Sequence, residues 1–175
     1  PYGGHGRLGG GFSAIDMALF DLTGKIYGVP AYQLLGGKLR DRIRIYCDTD
    51  TSPDPKVYAQ RMIERKNRGF TYFKMDLGIG LIRNIPGALI ENSPTDKGLD
   101  LMASYVAQVR EVIGYEVPLS ADHFGPISVN DCIRLGRVLE RYRLAWLEDM
   151  VPWQDTVGLK TVSYTHLTLP TKRIV

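Results

Sequence analysis

Two cysteines, Cys47 and Cys132, and three histidines are all that 175 residues offer a soft metal. The cysteines stand far apart in no ligand spacing. That excludes a disulfide framework and a structural zinc site, and it suits a reducing, cytoplasmic setting. No apolar run approaches the roughly 20 residues of a membrane span, and no signal-peptide pattern is visible, so no membrane partner is expected. Charge of one sign is lacking too. Lysine and arginine number 22 against 19 acidic residues, a net charge of +3. Two of those basic residues, Lys172 and Arg173, lie in a tail set apart below, and without them the net charge is +1. Such a balance does not argue for a nucleic-acid partner. What is present is the composition of a globular protein, 44% hydrophobic and 23% charged, long enough for one ordinary domain and short for a whole (β/α)8 barrel.

The chain begins at Pro1 rather than methionine, which reads as a cut or processed N-terminus. Gly4-His5-Gly6-Arg7-Leu8-Gly9 matches G-x-G-x-x-G. That spacing binds dinucleotides only between a strand and a helix. No strand precedes it, so it reads as a flexible loop. Ser13-Ala14-Ile15-Asp16 resembles a capping box with Asp in place of Glu, and Ile15, Ala18, Leu19, Leu22 and Ile26 then recur at helical spacing until Gly28. A second short helix runs from Pro30 to Leu35 and ends at Gly36-Gly37. From residue 42 the pattern changes. Ile43–Cys47 alternates like a strand, and Asp54 with Pro55 starts a helix that Gly69 ends. A strand at Thr71–Leu77 follows, then a loop of about 20 residues with several glycines and prolines, of a length that is often functional or disordered. Leu99, Met102, Val106, Val109 and Ile113 mark a helix, and the next strand ends at Asp122. Ser128 caps another helix, a strand ends at Glu148, and Thr156–Thr161 begins one more helix.

The order β-α-β-α-β-α-β predicts a parallel sheet with right-handed crossovers. Asp122 and Glu148 each end a short apolar run, and one helix-length segment separates them. Two parallel strands joined by a helix bring both carboxylates to one sheet edge, which in an α/β barrel is the mouth where active sites sit. Paired carboxylates repel and call for a proton or a cation between them, and a hard cation such as Mg2+ prefers oxygen donors of this kind. Lys74 and Asp76, two apart on their strand, share a face.

Several stretches in order carry a family resemblance: Ser13-Ala14-Ile15-Asp16-Met17-Ala18-Leu19-Phe20-Asp21-Leu22, Gly24-Lys25, Gly28-Val29-Pro30 and Leu34-Leu35-Gly36-Gly37. Together with the two carboxylates they resemble the enolase superfamily, in its mandelate racemase and muconate-lactonising branch. The resemblance implies an α/β fold: a partial (β/α)8 TIM barrel of about four strands over residues 42–161, preceded over residues 1–41 by the helical end of an α+β capping domain. Val162–Thr171 resembles the translation of a sequencing adaptor, so residues 162–175 are expected to be a non-native tail outside the fold.

The resemblance also implies a chemistry. One Mg2+ is held by three acids at successive strand ends, and a proton next to a carboxylate is removed. Asp122 matches the first ligand and Glu148 the second, one β-α-β step on. The third acid, and the base and acid of later strands, are expected beyond Thr161. Lys74 matches a lysine near the substrate carboxylate. Asp76 stands where relatives often carry a second lysine that serves as a base, which weakens two-base racemisation. His123 directly follows the first ligand, one position before the histidine that expels the β-hydroxyl in acid-sugar dehydratases. The expected function is therefore a fragment of a Mg2+-dependent acid-sugar dehydratase, inactive by itself, with a small carboxylate substrate and a homo-oligomeric parent. A racemase, epimerase or cycloisomerase of the same superfamily is the alternative, and a non-catalytic binding or structural barrel is the alternative of another class.

Overall fold

A computed structural model describes residues 9–122, 125, 127–152 and 154–166. The chain divides into two units after Arg44, three residues beyond the expected boundary. The first holds helices α1 (Gly9–Tyr27) and α2 (Ala31–Leu34). Helix α1 starts before Ser13, so the expected capping box is an interior turn of the helix and not its start. Its end is as expected: Gly28 takes φ +68° and the Val29 amide bonds the Gly24 carbonyl at 2.9 Å. Phe12, Ile15, Leu19, Leu22 and Ile26 are exposed.

The second unit is the sheet and its helices. Helix α3 (Pro55–Asn67) begins where Asp54 accepts from the Lys56 amide at 2.8 Å. Strand β1 (Phe73–Asp76) follows, then a loop containing a small hairpin, β2 (Leu89–Ile90) with β3 (Ser93–Pro94). Helix α4 (Asp96–Ile113), strand β4 (Leu119–Asp122), helix α5 (Val129–Leu139) and helix α6 (Thr156–His166) complete it. Helix α6 runs through the expected boundary at residue 161, and Val162 is buried in the core. No helix among the described residues is long and apolar enough to cross a membrane.

Strands β1 and β4 pair in parallel, Phe73 with Leu119 through Asp76 with Asp122. The strand expected at Ile43–Cys47 is reduced to a parallel bridge between Cys47 and Phe73. It has β1 on one side, and its ladder consists of the Cys47 amide to the Tyr72 carbonyl (2.8 Å) and the Lys74 amide to the Cys47 carbonyl (3.1 Å). The fourth strand is likewise a bridge between Ala121 and Leu147, but three ladder bonds hold it to β4: Ala145 N to Leu119 O, Ala121 N to Trp146 O, and Glu148 N to Ala121 O, at 2.8–3.1 Å. The four segments therefore lie side by side in chain order, as a partial barrel requires.

Period-2 alternation sorts the side chains. Phe73, Met75, Leu119 and Ala121 are fully buried in one core with Tyr58 and Met62 of α3, Met102 and Val106 of α4, and Cys132 and Leu135 of α5. Cys132 is inert there. Burial pushes its thiol up to about 11, and the S–H donates to the Met150 carbonyl. The opposite face carries Lys74, Asp76, Ser120 and Asp122.

The loop after β1 is more ordered than its composition predicts. Ile79, Ile82 and Ala88 are buried, and Asp131 at the start of α5 anchors the hairpin. Burial opposes ionisation of Asp131, yet Ser128 and Ser93 hydroxyls (2.8 and 2.9 Å) and Arg134 (2.9 Å) donate to it and hold its carboxyl below the usual range. Gly98 of α4 is the point of closest approach. A Cβ there would stand 2.2 Å from the Ala88 carbonyl oxygen, which is backbone and cannot swing aside. Gly98→Ala is expected to destabilise by on the order of 1–3 kcal/mol, read as a lower urea midpoint at unchanged slope. An unchanged midpoint would show that the hairpin yields freely.

Candidate functional site

The ladder registers place residues of four strands on one inner surface. Tyr46 comes from the first, Lys74 and Asp76 from β1 with Tyr72 just before it, Ser120 and Asp122 from β4, and Trp146 and Glu148 from the fourth. At the C-terminal edge Lys74 Nζ lies 2.6 Å from Asp122 Oδ2 and 3.6 Å from Glu148 Oε2. Lys74 and Asp122 are both buried, while the Glu148 side chain is 36% exposed. The hydrogen bond to Asp122 raises the Lys74 ammonium above its ordinary range against the opposing effect of burial, with the charges of Asp122 and Glu148 adding to it. Lys74 is therefore a fixed cation here and not a proton acceptor.

That ammonium is a stand-in that tests the site for a metal. Two carboxylates from neighbouring strands converge on one positive centre, and both offer the hard oxygen donors that Mg2+ takes. The residues present fit two ligands of such an ion. Among the described residues no cluster of three or more His, Cys, Asp or Glu side chains is assembled.

Asp76 stands directly across the ladder from Asp122. Its amide donates to Tyr58 Oη at 3.0 Å, which ties the end of β1 to helix α3. Burial raises the Tyr58 phenol above its ordinary range, so it stays protonated. His123 lies outside the described residues. Asp149, next to Glu148, is exposed and sits at φ +51°, where the chain turns away from the strand.

Sequence reasoning offers Trp146 as a side chain that fills the interior, but it does not assemble the aromatic layer beneath the charged groups. Trp146 stacks on Tyr72 at 5.1 Å between ring centroids and meets Tyr46 edge-on at 5.7 Å. Lys74 Nζ lies 5.3 Å above the Tyr46 ring. The signal was available: Tyr72 and Trp146 each stand two residues before a charged inner-face residue, a spacing that returns a strand side chain to the same face.

Residues 57–172 match the family described as Enolase C-terminal domain-like. The D-gluconate dehydratase of Thermoproteus tenax is 34% identical over 158 residues, which is 89% of this chain and 30% of that protein. A member of the enolase superfamily from Salmonella Typhimurium superposes with a TM-score of 0.76 at 28% identity, over 90% of this chain and 43% of that one. A Pantoea ananatis enolase, solved with bound D-gluconate and Mg, superposes with a TM-score of 0.70 at 26% identity, over 88% of this chain and 42% of that one. The chain thus spans less than half the length of each.

Proposed function

Because this chain belongs to the Enolase C-terminal domain-like family, we propose that it carries part of the active site of a Mg2+-dependent acid-sugar dehydratase. The observation that supports this most directly is the convergence of Asp122 and Glu148 on a single cation, the Lys74 ammonium. The names of relatives, gluconate and xylonate dehydratases among them, supply the substrate class.

In this reading Asp122 and Glu148 hold Mg2+. When bound, Mg2+ would act as a Lewis acid toward the negative charge that builds on the substrate carboxylate as the α-proton leaves. Lys74 is the second fixed positive charge of the site. Its buried ammonium binds the same carboxylate, so the charge develops where a preorganised cation already points. Asp76 faces the substrate from the neighbouring strand and accepts a hydrogen bond from a sugar hydroxyl. His123 gives a proton to the β-hydroxyl, which departs as water. The α-proton passes to a base that the rest of the full-length protein supplies, the net loss is one H2O once that base and His123 exchange their proton with solvent, and the enol that remains tautomerises to a 2-keto acid.

Two carboxylates make a weak metal site, so the chain alone is expected to bind Mn2+, used in place of Mg2+, in the millimolar range and to turn over no substrate. The full-length protein that contains it is expected to form 2-keto acid from at least one aldonate or aldarate, in a Mg2+-dependent way. Absence of product across a broad panel would sink the dehydratase assignment. Solvent deuterium entering recovered substrate with inversion would replace it with racemase chemistry.

A further inference from the structure

Trp146 does more than fill space. Its indole N–H donates to Glu148 Oε2 at 2.9 Å, the same oxygen that faces Lys74 at 3.6 Å. Glu148 needs such a partner. Its side chain is long, more than a third exposed and anchored on a strand that, among the described residues, pairs with β4 alone. Trp146 by contrast is fixed on two sides, by the Tyr72 face and the Tyr46 edge, and Tyr72 in turn accepts from Ser120 Oγ at 3.4 Å. The rigid ring therefore sets the direction of the flexible carboxylate. Stacked and edge-on aromatic contacts on two sides favour one orientation of the indole.

We propose that Trp146 is a positioning residue that holds the Glu148 carboxylate toward the cation site. This rests on the metal reading given above, because the orientation matters only if Glu148 is a ligand. Partners that orient ligands typically change metal affinity by about 10–100-fold when removed.

The test uses the full 175-residue chain and reads Mn2+ affinity from the electron paramagnetic resonance signal of the free ion. Two substitutions separate shape from hydrogen bonding. Trp146→Phe keeps an aromatic face and removes the donor. Replacement of Trp146 by benzothienylalanine keeps the bicyclic outline and exchanges N–H for sulfur. Both are expected to weaken Mn2+ about tenfold, and the benzothienylalanine form is expected to unfold at the same urea concentration as the parent. A purely structural tryptophan would move the unfolding midpoint of Trp146→Phe and leave the affinity of the benzothienylalanine form unchanged, which overturns the inference. If Asp122→Asn abolishes Mn2+ binding while both Trp146 substitutions are neutral, the metal reading stands and this inference falls. If the unaltered chain binds no Mn2+ at all, both fall.

Discussion

Asp122→Asn is expected to weaken divalent-cation binding by at least about 100-fold, the upper end of what loss of even an indirect partner costs, and to remove turnover in the full-length protein. The substitution keeps the shape and deletes the charge. A neutral amide oxygen is a poor substitute where two like charges are held together by a cation. It also has a cost unrelated to catalysis. Lys74 loses the carboxylate at 2.6 Å and keeps Glu148 at 3.6 Å and the Tyr46 ring at 5.3 Å, with a side chain just 9% exposed. Leaving a buried ammonium so poorly paired destabilises by roughly 3–5 kcal/mol. The two effects come apart in Lys74→Met combined with Asp122→Asn. The double variant is expected to regain most of the stability, because no ammonium is orphaned, and none of the cation binding. Cation affinity within threefold of the parent for Asp122→Asn would dismiss Asp122 as a ligand.

Arg110→Met is expected to destabilise the chain by at least about 1–3 kcal/mol, the cost of leaving a buried hydrogen-bonding group without its partner, and a large share of the stability of an ordinary domain. Arg110 is 3% exposed and bonds four backbone carbonyls: Gly114 and Val117 at 3.1 Å, Tyr142 at 3.1 Å and Arg143 at 3.0 Å. Burial lowers its guanidinium below its ordinary range, yet five donors in a planar fork satisfy carbonyls from two separate turns at once. Those turns lead into the strands that end at Asp122 and Glu148. The clamp therefore sets how the two carboxylate-bearing strands enter the sheet, from the end opposite the site. Methionine fills the volume and bonds none of the carbonyls. Arg110→Lys is expected to recover only part of the loss, since one ammonium cannot reach all four oxygens. The measurement is the urea midpoint, with Mn2+ affinity as a second readout at concentrations where the variant is still folded. A midpoint shift below about 1 kcal/mol would show that solvent replaces the guanidinium, as at a surface position.

Much of this protein is legible without coordinates because the signals are local. Asp54 and Ser128 cap their helices, since a short polar side chain beside a helix start has few other amides to reach. The alternation of helical and strand periods places β1, α4, β4 and α5 in order. It also puts Asp122 and Glu148 at strand ends, because a strand that ends on a charge ends at an edge. Even the inner and outer faces follow from a period of two.

Other features come only from tertiary structure. Ile43–Cys47 has the pattern of a strand and pairs only at Cys47, because a ladder needs a neighbour as well as a pattern. The start of α1 lies before Ser13, since a capping sequence marks a helix start only where the chain before it leaves the helix. The Arg110 clamp joins carbonyls 4, 7, 32 and 33 residues away, and no sequence spacing announces it. The sequence by itself determined which residues share a face and that three of them, Asp76, Asp122 and Glu148, are acids. Register and strand stagger alone decided that Lys74 lies between Asp122 and Glu148 and that Trp146 reaches Glu148, because hydrogen bonds are set by ångströms across strands and sequence measures distance only along them.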